Sequence, residues 1–307
     1  MAITKIEWCE RTWSPITGCS PVSEGCQHCY ARRMAQRLKG RYGYPADDPF
    51  RVTFHPERLT QPFIWFKPSH IFVCSMGDLF HEKVSEAAQI FIMNTILGTP
   101  QHTYIVLTKR PSIAAIYFIQ HPVPSNLWLG VTAENQQRAD ERIPILLQIP
   151  AAVRFVSIEP MLGPISFRWA SWKPLSRETS TNHLDGLRML DWIIIGGETG
   201  PGARPMHPDW VQTVRDQCQE AGVPFFFKQW GEWIPRLFWP HPYSSNGIKS
   251  HPPWGTLDIK GNWFSETTPW NGCQGDESKT KEYLMVKIGK KRAGRLLDGR
   301  LCEEYPE

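Results

Sequence analysis

No stretch of this 307-residue chain is long and apolar enough to cross a membrane. No early run resembles a secretion leader either, because Lys5, Glu7, Glu10 and Arg11 interrupt the apolar residues. The expected setting is therefore the reducing cytoplasm, with no membrane partner. There the eight cysteines are expected to be ligands or core residues, not disulfides. A large charge excess is also lacking: a net charge of +4 does not by itself demand a nucleic-acid partner. Internal repeats and low-complexity tracts are absent. Charged residues at 21% and apolar ones at 41% describe an ordinary folded chain, long enough for one large domain or two. Tryptophan and proline are abundant, at 14 and 27 residues. Many lie after residue 230, which points to a differently built C-terminal part.

Short apolar or β-branched runs recur, each followed by a polar cluster. They are Trp13–Thr17, Ile71–Ser75, Tyr104–Thr108, Leu127–Thr132, Val153–Ile158, Trp192–Gly196 and Val223–Phe227. Near-continuous apolar runs of this length suit strands buried on both faces of a parallel sheet. Helical patterns fill several gaps: Ala31, Met34, Ala35 and Leu38 before Gly40; Val84, Ala87, Ala88 and Phe91 before Gly98; Trp210, Val214, Cys218 and Ala221 before Gly222. Pro144 divides the segment after Asn135 into two expected helical pieces, and Ser166–Leu190 reads as an inserted loop. The expected fold is α/β: a partial or full (β/α) barrel of about six or seven βα units over residues 1–230, favoured over a doubly wound sheet. Residues 231–307 read as an irregular cap.

In a parallel barrel the residues just after each strand converge on one rim, where active sites are built. Here these are Ser75, Gly77 and Asp78; Lys109 and Arg110; Thr132, Glu134 and Asn135; Glu159; Glu198; and Lys228. After the first run comes Gly18-Cys19-Ser20-Pro21-Val22-Ser23-Glu24-Gly25-Cys26-Gln27-His28-Cys29-Tyr30. It supplies three thiols and no obvious fourth ligand. Structural zinc takes four closed ligands, and Cys9, His28, His55 or Cys74 would have to complete such a site. Three thiolates with a vacancy suit an iron–sulfur cluster with one iron open to a small molecule. Cys218 reads as core packing, Cys74 as core or rim, and Cys273 and Cys302 show no pairing logic.

A βα barrel with three cysteines after its first strand resembles the radical SAM enzymes. The whole chain is similar to a phage-associated family of three-cysteine proteins. The matching stretches include Lys5-Ile6-Glu7-Trp8, Gly25-Cys26-Gln27-His28-Cys29-Tyr30-Ala31, Ser75-Met76-Gly77-Asp78-Leu79-Phe80-His81, Leu107-Thr108-Lys109-Arg110-Pro111, Ser157-Ile158-Glu159-Pro160, Gly196-Gly197-Glu198-Thr199-Gly200, Lys228-Gln229-Trp230-Gly231 and Gly289-Lys290-Lys291. The first cysteine gap holds six residues, where most radical SAM enzymes have three.

The resemblance implies that Cys19, Cys26 and Cys29 bind a 4Fe–4S cluster whose fourth iron takes S-adenosylmethionine. Reductive cleavage then gives a 5′-deoxyadenosyl radical that removes hydrogen from a substrate. It also implies an electron donor such as flavodoxin or ferredoxin. Ser75, Gly77 and Asp78 are then expected around the methionine amino group, and Lys109 or Arg110 at its carboxylate. Thr132, Glu134 and Asn135 are expected at the ribose, with Glu159 and Glu198 as catalytic candidates. Lys109, Arg110, Arg204 and Lys228, joined by the basic tail Lys290, Lys291, Arg292 and Arg295, suggest an anionic substrate, a nucleotide or nucleic acid. The alternative class is a zinc or iron–sulfur protein without catalysis.

Overall fold

The computed structural model describes residues 4, 6–170, 183–238, 253–265 and 282–307. The elements run β1 (Arg11–Trp13), β2 (Ile16–Thr17), α1 (Tyr30–Arg37), β3 (Thr53–Phe54), β4 (His70–Val73), α2 (Glu86–Leu97), β5 (Thr103–Thr108), α3 (Pro111–Gln120), β6 (Leu127–Thr132), α4 (Gln136–Leu146), β7 (Val153–Ile158), α5 (Asp185–Arg188), β8 (Trp192–Gly196), α6 (Pro208–Ala221) and β9 (Phe225–Gln229). Seven of these strands form one sheet in the order β1-β4-β5-β6-β7-β8-β9, every neighbouring pair parallel. The sheet curls into a half-barrel flanked by helices.

Alternation along the strands sorts the two faces. Val73, Val106, Val131, Val156 and Ile195 point outward into the layer beneath the helices. Phe72, Ile105, Phe155, Trp192, Ile194 and Phe226 point inward, where Trp8 and Cys9 join them. Both faces are therefore apolar, which is why the strand runs are nearly continuous. Trp192 is the hub of the interior, with ring centroids of Trp8, Trp128 and Tyr305 at 6.4, 6.1 and 5.2 Å. The segment before β1 thus fills the open side of the half-barrel. The chain end meets it there: Glu303 bridges Phe226, and the Tyr305 hydroxyl donates to the Glu7 carbonyl at 3.3 Å.

Prolines account for two shifts of strand boundary. The first sheet strand, Arg11–Trp13, lies earlier than the Trp13–Thr17 run, with Pro15 two residues past its end; Ile16 and Thr17 instead pair antiparallel with Phe54 and Thr53. The last strand starts at Phe225, after Pro224. In both places a residue without an N–H cannot continue the ladder. Pro144 does not break α4, however. It sits near the last turn of one continuous helix, four residues after the exposed Asp140.

Three apolar-face assignments also change: Met34 and Phe91 are 40% and 55% exposed and Ala87 is exposed too, and the buried faces of α1 and α2 are carried by Ala31 and Ala35 and by Ala88, Ile92 and Ile96. Helix α6 ends as its pattern implies. Gly222 adopts φ +70°, and Val223 N returns to the Cys218 carbonyl at 2.9 Å.

The stretch read as an inserted loop is anchored at both ends: Ile165 and Phe167 before residue 171, and Leu184, Leu187 and Leu190 after residue 182, are buried. Its residues 171–182 lie outside the described residues, as does Cys273. The C-terminal part is more regular than expected. Strands β10 (Trp233–Pro235), β11 (Trp254–Asp258), β12 (Trp263–Ser265) and β13 (Glu282–Lys287) form an antiparallel sheet in the order β10-β13-β11-β12. It rests against the β8–α6 connection, where Trp233 Nε1 donates to the Ala203 carbonyl at 2.6 Å.

Gly130 on β6 gives the half-barrel its tightest internal test. A Cβ there would lie 2.4 Å from the ring of Phe155, its register partner, which is fully buried. Gly130→Ala should therefore lower stability in urea by roughly 1–3 kcal/mol, the usual cost of overpacking. Adding Phe155→Leu should recover part of that loss.

Candidate functional site

The cysteine run leaves β2 through Gly18, whose φ is +84° and whose absent Cβ would lie 2.2 Å from the Arg51 carbonyl oxygen. Gly18 bridges Gly77, and its N–H donates to the Met76 carbonyl at 2.9 Å. Gly77 is a glycine for the same contact, since a Cβ on it would come within 2.9 Å of the Gly18 oxygen. From there the run crosses the C-terminal rim as a loop with one short 3-10 turn, Glu24–Cys26. Cys29 forms the N-cap of α1. The thiols of Cys19, Cys26 and Cys29 are all half-buried.

Side chains from successive strand ends hold this loop. After β5, Arg110 donates from Nε to Glu82 at 3.0 Å, and from Nη1 to Asp78 at 3.2 Å and to the Cys19 sulfur at 3.4 Å. Its Nη2 donates to the Ser20 carbonyl at 3.1 Å and to the Ser20 hydroxyl at 2.9 Å. A guanidinium has five N–H donors, and all of them are engaged. Asp78 is similarly filled: besides Arg110 it accepts from Thr108 Oγ1 at 2.8 Å, Phe80 N at 3.0 Å and Lys109 N at 3.2 Å.

After β6, the fully buried Glu134 accepts from the Ser23 hydroxyl at 2.6 Å and from Arg142 at 2.9 Å, and pairs with Lys109 at 3.4 Å. Gly25 packs on this carboxylate, where a Cβ would lie 2.4 Å from its oxygen. Asn135 caps α4 by accepting from Arg138 N at 3.0 Å and donates to Glu24, which also pairs with Arg138 at 3.0 Å. After β8, Glu198 accepts three times from Arg204, from its backbone N–H and Nε at 2.8 Å and from Nη2 at 2.6 Å, and lies 3.0 Å from His28 Nδ1. Arg204 in turn donates to the Glu24 carbonyl at 3.1 Å.

Glu159 and Lys228 stand apart from this clamp. They pair at 2.7 Å at the mouth of the interior, and Ser157 donates to Glu159 at 3.0 Å.

The strand-end residues singled out in the sequence do gather on one rim, but in separate groups. Cys19, Asp78 and Arg110 form one, Lys109 and Glu134 a second, Asn135 a third with Glu24, and Glu159 a fourth with Lys228. Ser75 lies 3.4 Å from Ser14 through its hydroxyl and accepts from the Tyr30 hydroxyl through its carbonyl. Thr132 is buried, and its carbonyl accepts from Arg142 at 2.6 Å. The sequence did not single out Ser20, Ser23, Glu24, Arg138 or Arg142. Asn135 three residues before Arg138 was a readable capping signal; the cross-strand partners left no local trace.

The electrostatics follow the contacts. Burial pushes the Cys19 thiol up to about 11, with Asp78 adding to the rise and Arg110 opposing it. Burial works in the same direction on Glu198, yet the bonds from Arg204 and His28 outweigh it and hold the carboxyl below its usual value.

Among the described residues, no three Cys, His, Asp or Glu side chains form a group that could hold a metal ion. The side chains considered as a fourth zinc ligand are engaged elsewhere. Cys9 lies in the barrel interior and Cys74 in the outer core. His28 is bonded to Glu198, and His55 bonds Thr17 at 2.8 Å.

The chain belongs to the family described as Protein of unknown function (DUF5131), whose model matches residues 3–306. No curated protein and no solved structure matches it.

Two measurements test the clamp. Arg110→Ala leaves Asp78 buried without its cation, a change that costs about 3–5 kcal/mol. It should expose the 19–29 loop to limited proteolysis, and Arg110→Lys should not restore protection, because one ammonium cannot span five acceptors. The second measurement concerns acid. Glu198 is depressed in the folded state, so its contribution is present above its unfolded pKa and is lost as pH falls through its folded one. Stability should decline on that acid limb, and Glu198→Gln should flatten the decline while lowering stability at neutral pH.

Proposed function

We propose that the protein is an enzyme of the radical SAM type, in which Cys19, Cys26 and Cys29 hold a 4Fe–4S cluster. The observation that carries this reading is a loop of three half-buried thiols, clamped across the C-terminal rim of a parallel half-barrel, with no fourth thiol on it. Kinship with radical SAM enzymes and a phage-associated setting belong to the same proposal. The donor chemistry suits the group, although the three thiols do not converge into a metal-binding group in this structure: thiolates suit iron–sulfur chemistry, and the Arg110 N–H on the Cys19 sulfur is the kind of bond that tunes such a cluster. With S-adenosylmethionine bound, that cluster supplies a reductively generated carbon radical able to take hydrogen from a substrate.

The remaining steps fall to the chain. Asp78 and Arg110 fix the height of Cys19, and Glu134 and Asn135 fix the turn that carries Cys26. Glu198 works through Arg204 and His28 as a positioning residue. Glu159 is the better catalytic candidate, because its carboxylate faces the interior with Lys228 beside it. Binding of S-adenosylmethionine falls to the rim around Ser75, Lys109 and Thr132. The single electron comes from a donor of flavodoxin or ferredoxin type. Residues 231–307 serve as a cap over the barrel of residues 1–230.

Anaerobic reconstitution with iron and sulfide tests the reading. The protein should turn brown, bind about four irons per chain, and release 5′-deoxyadenosine from S-adenosylmethionine under a strong reductant. Alanine at any one of Cys19, Cys26 or Cys29 should abolish both the colour and the product. Stoichiometric zinc without iron after anaerobic purification would sink the proposal in favour of a non-catalytic metal protein.

A further inference from the structure

The surplus of positive charge in this chain is confined to one stretch. Residues 30–46, which make up helix α1 and the turn after it, hold Arg32, Arg33, Arg37, Lys39 and Arg41 and no Asp or Glu. Taking those five from the 34 Lys and Arg leaves 29 against 30 Asp and Glu, so the rest of the chain is close to neutral. The rim cations are balanced in place: Lys109 by Glu134 at 3.4 Å, Arg110 by Asp78 at 3.2 Å, Arg204 by Glu198 at 2.6 Å and Lys228 by Glu159 at 2.7 Å. The α1 cations are not. Arg32 lies over the Phe50 ring at 5.4 Å, Arg33 Nη2 donates to the Thr199 carbonyl at 2.7 Å, and Arg41 Nη2 donates to the Arg37 carbonyl at 2.5 Å. These partners are neutral, and no carboxylate among the described residues pairs with any of the five. The next acids along the chain are engaged, Asp47 with Arg51 at 2.9 Å and Asp48 with the Phe50 N–H at 3.2 Å.

This arrangement works against the helix that carries it. Arg32 and Arg33 stand in the first turn, where the helix dipole disfavours cations. Arg33 and Arg37 are like charges four residues apart on one face, which is also unfavourable. The turn that follows carries strain of its own. Gly40 and Gly43 have φ of +70° and +81°, and between them Tyr42 has φ +53°, a region that bulky residues avoid. Arg58 holds Tyr42 there, donating to its carbonyl at 2.6 Å and to the Ser14 carbonyl at 2.9 Å. The outcome is an aromatic side chain 75% exposed, one residue past Arg41. Backbone strain of this kind gathers at ligand-contacting positions.

We propose that α1 and the Tyr42 turn bind single-stranded nucleic acid, with the arginines on its phosphates and Tyr42 stacked on a base. The chemistry selects the class. Four of the five cations are Arg, whose planar fork grips phosphate in bidentate fashion. An exposed ring beside a basic track holds unpaired bases whatever their sequence. A lipid surface fits less well. Ala31 and Ala35, the apolar side of α1, are buried against Tyr44 and Phe50, so this side is not free to enter a bilayer. Cys29 caps the helix, so the track ends at the cysteine loop. The inference thus deepens the enzymatic reading, and the role of the strand as substrate rests on that reading.

Fluorescence anisotropy of the full-length protein with a short labelled single strand, as RNA and as DNA, tests the surface. The matching duplex, polyglutamate and phosphatidylserine vesicles serve as competitors. At least one single strand should bind at about 50 mM salt, and log affinity against log salt should fall with a slope between about −2 and −3.5, about −0.7 per phosphate for three to five contacts. Arg33→Gln and Arg37→Gln should each weaken binding and make that slope shallower by about 0.7. Arg37 is exposed, so its variant keeps the fold. Lys291→Gln with Arg292→Gln should change neither quantity. Tyr42→Gly should weaken binding while the urea midpoint holds or rises, because glycine takes the left-handed turn without strain. No binding of either strand, an unchanged slope in the Arg33 and Arg37 variants, or competition by polyglutamate or vesicles as strong as by unlabelled strand would overturn the surface. A duplex that competes equally would overturn the single-strand assignment. Iron content and 5′-deoxyadenosine, measured on the same preparations, separate the two readings. Binding without a cluster would remove the radical chemistry and keep the surface, and a working cluster without binding would do the reverse.

Discussion

Arg110 is the contact on which the rest of the rim depends. The residue is 6% exposed, and its guanidinium ties together the strand-β4 end, the strand-β5 end and the start of the cysteine loop. A buried cation is tolerated only when its charge and its donors are matched, and here Asp78, Glu82, Ser20 and Cys19 do so together. Asp78 in turn is oriented by Thr108 and by two backbone N–H groups. The network is therefore closed: each member is satisfied only if the others stay in place. A loop with almost no secondary structure thereby gains a defined shape from the parallel sheet beneath it. Glu134, Asn135 and Glu198 repeat the device farther along the same rim.

That device needs strand ends at fixed spacing, and the half-barrel supplies them. The inward aromatic cluster around Trp192 and the outward aliphatic layer hold the sheet from both faces. Closure of the open side is shared between the two chain ends. Trp8 enters from the N-terminal side, while Glu303 and Tyr305 arrive from the other end of the chain. Both β1 and β9 would otherwise leave bare edges. Lys290 and Tyr305 both reach Glu7, which ties the C-terminal segment to the chain just before β1.

The strands were legible because burial on both faces writes itself locally as an unbroken apolar run. Helices whose outer face is polar, such as α6, were legible for a similar reason. Helices α2 and α3 carry Phe91, Leu97, Ile116 and Ile119 outward, so the apolar pattern read for α2 marks the wrong face, and α3 was not read at all. The cap sheet was missed because its short strands are widely separated along the chain and alternate around Trp, Gly and Pro. At the site, residue types and the rim they share were readable. Their partners were not, since Ser23 and Glu134 are 111 residues apart and His28 and Glu198 are 170 apart. Pairing at that range is a property of the fold and leaves no spacing in the sequence.

The same long-range pairing changes what the basic residues mean. Read one at a time, Lys109, Arg110, Arg204 and Lys228 suggest a positive mouth; read with their partners, they form short dipoles. Fields of neighbouring opposite charges cancel within a few ångströms, so such a rim steers weakly at distance and discriminates strongly at contact. Lys291 and Arg292, exposed on the last short helix, lie outside these pairs. An anion drawn into the rim would have to displace such a pair and leave a carboxylate unmatched, which costs more than a surface attraction returns. The ion pairs that fix the cysteine loop are thus the same ones that cancel the charge of the rim.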